Sequence, residues 1–332
     1  MLYSQAEIIK HHRELKGMTQ SQLAEGICSR HHILKAEAGT RKLSDFVLKD
    51  VLLKLGLNPI DFNVGIDTAD NDTIFYLQME DALKTADYSF DRAPSIKLRN
   101  DIINYLGGRK NALVDARYWE LLKLRVEIRI HRPDFAGSNK HEIDASKVLK
   151  SREYAISALK LFRPDFDIAK IDTYYLARRE YMLIQSLAYS YGYLGELSKE
   201  IEVLDKLKIN FEKHQKTLYM DTTLNTFYAT LLSAIGINYR LLGMWEQCLQ
   251  HSINSKEIFL KSNDIVEYLQ SLWNQSFSLM KLGRAGEGEE SFKKYFMLLY
   301  AIGDGYAGYD IAERKKMYED EFGGNIDIKV AW

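Results

Sequence analysis

Three features of the sequence predict an all-α protein, a helix-turn-helix domain followed by a right-handed solenoid of tetratricopeptide-like helix pairs. Near the N-terminus, two short helical segments flank a glycine-containing turn. All four prolines lie before residue 165, and the 168 residues after Pro164 carry apolar side chains at helical spacing, as in Leu183, Leu187, Tyr191 and Leu194. A unit of helix, Leu-Gly and helix recurs through that stretch, at Leu194-Gly195, Leu242-Gly243 and Leu282-Gly283.

Taken in order, Ser4 to Lys16 reads as the first helix, stopped by Gly17. Thr19 is a good N-cap for a second helix, Gln20 to Glu25, with Leu23 and Ala24 facing inward. Gly26 breaks it and Ile27 supplies a core residue. Ser29 caps a third helix, Arg30 to Glu37, whose inward residues are Ile33 and Ala36 and which Gly39 closes. A further apolar helix, Lys49 to Gly56, completes a domain spanning residues 1–65. The small polar run around residues 66–72 reads as a linker, and residues 73–332 as the repeat domain.

Within that second domain, residues 183–208, 231–256 and 272–297 align on their Leu-Gly pairs. A glycine just past the end of the first helix of each pair explains the alignment. One pair cannot bury its apolar face, but stacked pairs can. At ~40 residues per pair, residues 73 to 320 hold roughly six pairs. Arg132-Pro133-Asp134-Phe135 recurs as Arg163-Pro164-Asp165-Phe166, and both read as helix ends. The tail from Gly323 to Trp332 reads as extended.

Charge separates the two parts. The formal net charge is −1, but residues 1–65 carry nine Lys/Arg against seven Asp/Glu, and four of the eight histidines fall in the first 32 residues. That permits a small basic reader joined to a larger acidic module. A recognition helix presents its leading residues to base edges in the major groove of double-stranded DNA. Here those are Ser29, Arg30, His31 and His32, with Lys35 one turn on. Arg pairs bidentately with guanine, and neutral His donates or accepts. Gln20, at the positive end of the preceding helix, can reach a phosphate or base, and Arg41 and Lys42 suit phosphate. Glu37 is assigned a structural role, pairing with Arg13.

The segment 19–44, TQSQLAEGICSRHHILKAEAGTRKLS, resembles the helix-turn-helix of the Rgg/PlcR/PrgX peptide-pheromone regulators. The shared features are Thr19-Gln20, Leu23, Gly26-Ile27, Ser29, Ile33, Lys35, Glu37, Arg41 and Ser44, together with a short turn around Gly26-Ile27-Cys28. About 60 residues are covered by motif and the rest by architecture alone. The resemblance implies a quorum-sensing transcription regulator that forms a homodimer and binds a short signalling peptide, secreted and re-imported. A dimer would meet an inverted-repeat operator with half-sites about one helical turn apart.

A helical array presents a groove lined by the first helix of each pair. Asn and Gln can satisfy the backbone of an extended peptide there, since each side chain both donates and accepts. The first-helix positions read as facing inward are Gln185, Tyr189, Asn225, Tyr228, Asn238, Arg240, Gln270, Asn274 and Phe277. A competing reading gives the array a protein partner instead of a peptide.

Catalysis is the weakest reading. Gly303 to Gly308 matches GxGxxG, but it follows an apolar helical run rather than a strand. No HExxH occurs, and the remaining histidines lack metal spacing, so no metal or cofactor is assigned. The N-terminus has no apolar signal-peptide core, and Cys28 and Cys248 cannot build a disulfide framework, which sets a cytoplasmic expectation. The longest uncharged run, Thr222 to Tyr239, is too polar to cross a membrane.

Overall fold

The structure, a computed structural model, describes residues 5–57, 75–76, 78–83, 92–107, 116–132, 143–161, 163–174, 176, 178–214, 222–303 and 311–324. Among these residues there is no strand. No described helix is long and apolar enough to cross a membrane. The linker expectation at 66–72, and most of the extended tail, lie outside the described residues.

The N-terminal helices are α1 (Gln5–Leu15), α2 (Gln20–Ala24), α3 (Arg30–Glu37) and α4 (Asp45–Lys54). Thr19 caps α2 through a full capping box. Its hydroxyl accepts from the Gln22 amide, and the Gln22 side chain accepts from the Thr19 amide at 2.7 Å. Ser29 precedes α3 in extended backbone, as the sequence indicates, but its hydroxyl makes no capping bond. The fourth helix starts four residues earlier than its apolar run suggests, because Ser44 takes the extended N-cap conformation and Asp45 opens the first turn.

Ile9, Met18, Leu23, Ala24, Ile27, Ile33, Ala36, Leu43, Leu48, Val51, Leu52 and Leu55 form one buried cluster across these helices. Gly26 turns the chain between α2 and α3 at φ +74°, a conformation that side-chain-bearing residues rarely adopt.

Six helices follow in pairs with a turn glycine: α8 (Arg178–Tyr193) with α9 (Leu197–His214), α10 (Thr222–Leu241) with α11 (Trp245–Ser262), and α12 (Ile265–Lys281) with α13 (Ala285–Ile302). Before them come α5 (Ala93–Gly107), α6 (Ala116–His131) and α7 (Ala145–Lys160), and after them α14 (Ile311–Phe322). The three pairs coincide with the three aligned sequence units. Gly195, Gly243 and Gly283 all have positive φ, which ends each first helix and lets the second fold back.

The chain divides into two compact units. The first holds residues 1–134, 142–199 and 209–218, and the second residues 135–141, 200–208 and 219–332. In the first unit, a second apolar cluster gathers Tyr76, Leu98, Ile102, Tyr118, Trp119, Leu122 and Val126, with Phe46 and Val47 of α4 packed against it. In the second unit, the core is aromatic. Trp273, Phe277, Phe292, Tyr295, Phe296 and Tyr318 interlock, with the Trp273 and Tyr295 rings 5.0 Å apart.

Candidate nucleic-acid interface and repeat-unit site

The leading end of α3 faces solvent. Ser29, Arg30 and His31 are exposed and His32 and Lys35 are half-buried, while Ile33 and Ala36 anchor the opposite face in the core. Just beyond the helix, Arg41 and Lys42 are exposed. The backbone there is held in place, since the Lys35 carbonyl accepts from the Thr40 amide and hydroxyl and from the Arg41 amide. Helix α3 and the turn after it thus place six basic or imidazole side chains on a rigid base.

The charges beneath this surface are internally matched. Arg13 of α1 donates to both Glu37 oxygens, at 2.5 and 3.0 Å, and also to the Met18 carbonyl at 2.8 Å. The hydrogen bond to Glu37 raises the Arg13 pKa. Gln20 donates to the same Glu37 carboxylate at 2.8 Å. Glu37 therefore ties α1, α2 and α3 together. Gln20, placed among the DNA-contacting residues by sequence, is half-buried and spends its amide on that tie.

A feature that sequence reasoning missed lies behind the turn. Arg163, read only as part of a helix end, is a buried hub with a 0% exposed side chain. Its Nε donates to Glu180 Oε1 at 3.0 Å and its Nη1 donates to the Glu25 carboxylate. Its guanidinium also stacks on the Tyr174 ring at 4.1 Å. Burial works against the charge, but Glu180 and Glu25 outweigh it and the Arg163 pKa rises. Lys54 of α4 donates to the Glu25 carbonyl at 2.6 Å. Gly26 sits so close that an added Cβ would collide with the Glu180 carboxylate. The turn between α2 and α3 is therefore bolted to the start of α8, within one compact unit.

The nine residues assigned to the repeat groove separate by burial. Gln185 and Tyr189 share α8 and bond each other, Nε2 to hydroxyl at 2.8 Å. Asn225, Tyr228, Arg240 and Gln270 are half-buried, on α10 and α12. Asn238, Asn274 and Phe277 are buried. Phe277 is part of the aromatic core, 4.9 Å from Phe322. The Asn238 amide lies beside the buried Glu200 carboxylate, yet its nitrogen makes no hydrogen bond. Burial pushes the Glu200 pKa up to about 7, partly opposed by Asn238. The Asn274 nitrogen, the Ser233 hydroxyl and Arg240 Nε are likewise buried without a partner. No described group of His, Cys, Asp and Glu could hold a metal ion.

These geometries define a helix-turn-helix domain, and a helix-turn-helix family model matches residues 9–62. Across the longer chain, several solved structures are similar. Bacillus thuringiensis PlcR, in complex with the peptide PapR7 and DNA, is 18% identical, with 97% of this chain and 100% of that one covered and a TM-score of 0.49. The Streptococcus dysgalactiae SHP pheromone receptor Rgg2 is 13% identical over 95% of this chain and 100% of that one, with a TM-score of 0.43. ComR from S. thermophilus, in complex with DNA and its signalling peptide ComS, is 12% identical over 83% and 99%, with a TM-score of 0.33. No curated protein matches this chain.

Proposed function

We propose that this chain is a sequence-specific transcription regulator, not an enzyme, whose grip on an operator is set by a short signalling peptide held by its helical repeats. Residues 1–65 read DNA, 66–72 link, and 73–332 bind peptide and dimerise in the cytoplasm. The observation that carries the DNA part is the exposed lead of α3, with Ser29, Arg30 and His31 outward while Ile33, Ala36 and Glu37 fix the helix from behind. Arg30 and His31 read bases, Ser29, His32 and Lys35 flank them, and Arg41 and Lys42 clamp phosphates. Gln20 orients the reading helix through Glu37 and adds a phosphate contact. A homodimer sets two such helices one helical turn apart on an inverted repeat.

The peptide part is supported by the half-buried polar face of α10 and α12 and by its unmet donors. An unsatisfied buried amide is costly unless a partner arrives. The proposed contacts are Gln185 and Tyr189 in the first unit and, separately, Asn225, Tyr228, Asn238, Arg240, Gln270, Asn274 and Phe277 in the second, where the buried three act as a floor. A peptide that prefers one arrangement of the repeats shifts operator affinity by its differential binding.

The test is a calorimetric titration of short synthetic peptides, paired with operator mobility shifts. Heat of binding together with a changed operator affinity is the expected result. A stoichiometric co-purifying protein with no peptide affinity would replace the peptide by a protein partner.

A further inference from the structure

Two opposite charges in the second unit are partly desolvated and unmatched. Glu267, in the first turn of α12, is half-buried. Among the described residues its carboxylate makes no hydrogen bond or ion pair, and the charge that acts on it, Asp264, is also acidic. Burial and then Asp264 push its pKa up to about 7. At the end of α10, the Arg240 guanidinium lies 5.6 Å from the Phe277 ring centroid, and its Nε is buried without a partner. Burial lowers its pKa, and Arg314 adds repulsion. Glu321 attracts it, but that carboxylate is already paired with Lys281.

A desolvated charge persists where something neutralises it. These two cannot neutralise each other. Helices α10 and α12 pack side by side, and Phe277 marks the level of Arg240 on α12. Glu267 lies ten positions before Phe277, about 15 Å along the helix at 1.5 Å per residue. An extended chain covers that distance with about five residues at roughly 3.3 Å each. Between the two charges, on the same helical face, lie Gln270 and Asn274. The Gln270 amide reaches Asn274 Oδ1 at 3.5 Å, the far limit of a hydrogen bond, and Asn274 Nδ2 has no partner.

We propose that the second unit holds a peptide of about five to seven residues by its two free ends, the terminal ammonium at Glu267 and the terminal carboxylate at Arg240, so that the ligand runs in the same direction as α12. This rests on the peptide reading above and adds the ligand's polarity and the chemistry of its termini. Each end brings the charge that the protein withholds. Asn274 Nδ2, buried without a partner, donates to a ligand carbonyl between the two ends.

The probe is a random, cysteine-free hexapeptide library with free ends, compared with the same library N-acetylated and the same library C-amidated. Each is offered to the full chain, and retained peptides are counted by mass spectrometry. Acetylation and amidation should each lower retention by about tenfold, in line with the loss of one charge-assisted contact. In Glu267→Gln the acetylation effect should vanish and the amidation effect persist, and in Arg240→Gln the reverse. Equal retention of all three libraries would overturn the end-reading while leaving peptide binding intact. Retention of none would overturn both. The comparison on the unmodified protein decides the matter even if a variant fails to fold.

Discussion

The helix-turn-helix and the second repeat unit treat their buried polar groups in opposite ways. In residues 5–57, Arg13, Gln20 and Glu37 satisfy one another, Lys54 finds the Glu25 carbonyl, and no described buried side-chain nitrogen or oxygen lacks a partner. In the second unit, Ser233, Asn238, Arg240 and Asn274 carry unmet atoms, and Glu200 and Glu267 are carboxylates driven up to about 7 by burial. A region whose polar groups are already matched is rigid before its partner arrives, as reading base edges requires. A region with unmet polar groups is completed by what it binds.

The comparison breaks most sharply at Arg163. Arg163→Met leaves Glu180, 2% exposed, without its counter-charge, and removing one partner of a buried pair costs roughly 3–5 kcal/mol. Urea denaturation of the full chain should show a loss of that size. Gly26→Ala should also lower stability, since its Cβ would meet Glu180 at a positive φ. Wild-type stability in both would remove the bolt between the turn and α8.

The second unit has a pH signature opposite in sign to that of the helix-turn-helix, where burial lowers the His12 pKa. The folded protein holds the Glu200 proton up to about pH 7, whereas the unfolded chain releases it near the ordinary glutamate value of 4.5. Its contribution is thus fully present below about 4.5 and lost as the pH rises through about 7, a change of roughly 3 kcal/mol. Stability should therefore be greater at pH 5 than at pH 8, and Glu200→Gln should flatten that slope. An unchanged slope in the variant would contradict the assignment.

On the DNA side, Arg30→Ala should cost roughly 1–3 kcal/mol and relax preference at one base position, while Lys42→Ala weakens all sequences alike and reduces the salt slope by about one. Fluorescence anisotropy against operator and random duplexes at several salt concentrations separates the two. The smallest effect belongs to the α2 cap. Thr19→Ala removes the hydroxyl that accepts from Gln22 and should cost about 1 kcal/mol, read as a lower denaturation midpoint.

What was legible in the sequence was local. Thr19 and the glycines at 195, 243 and 283 act within a few residues of themselves, so their roles show in the order of residue types, whereas Ser29 takes the N-cap backbone without the capping bond its residue type suggests. The Arg13–Glu37 pair was also readable, because helix spacing puts both on facing sides of a short domain. Arg163 was not. Its partner Glu25 lies 138 residues away, and an Arg-Pro sequence at a helix end looks the same whether its side chain is buried or solvated. Phe277 and Asn274 likewise share helical phase with Gln270, and it is the packing of α11, α13 and α14 that makes Phe277 a core residue. The start of α4 was masked by Asp45 and Phe46, which precede its strongest apolar run.

The most direct test is a selection of genomic fragments by the purified full chain at low ionic strength, followed by sequencing. Wild type should enrich one inverted repeat with half-sites about one helical turn apart, and Arg30→Ala should change the preferred base at one position per half-site. Recovery of no sequence above background, or of the same sequence by wild type and Arg30→Ala, would contradict it.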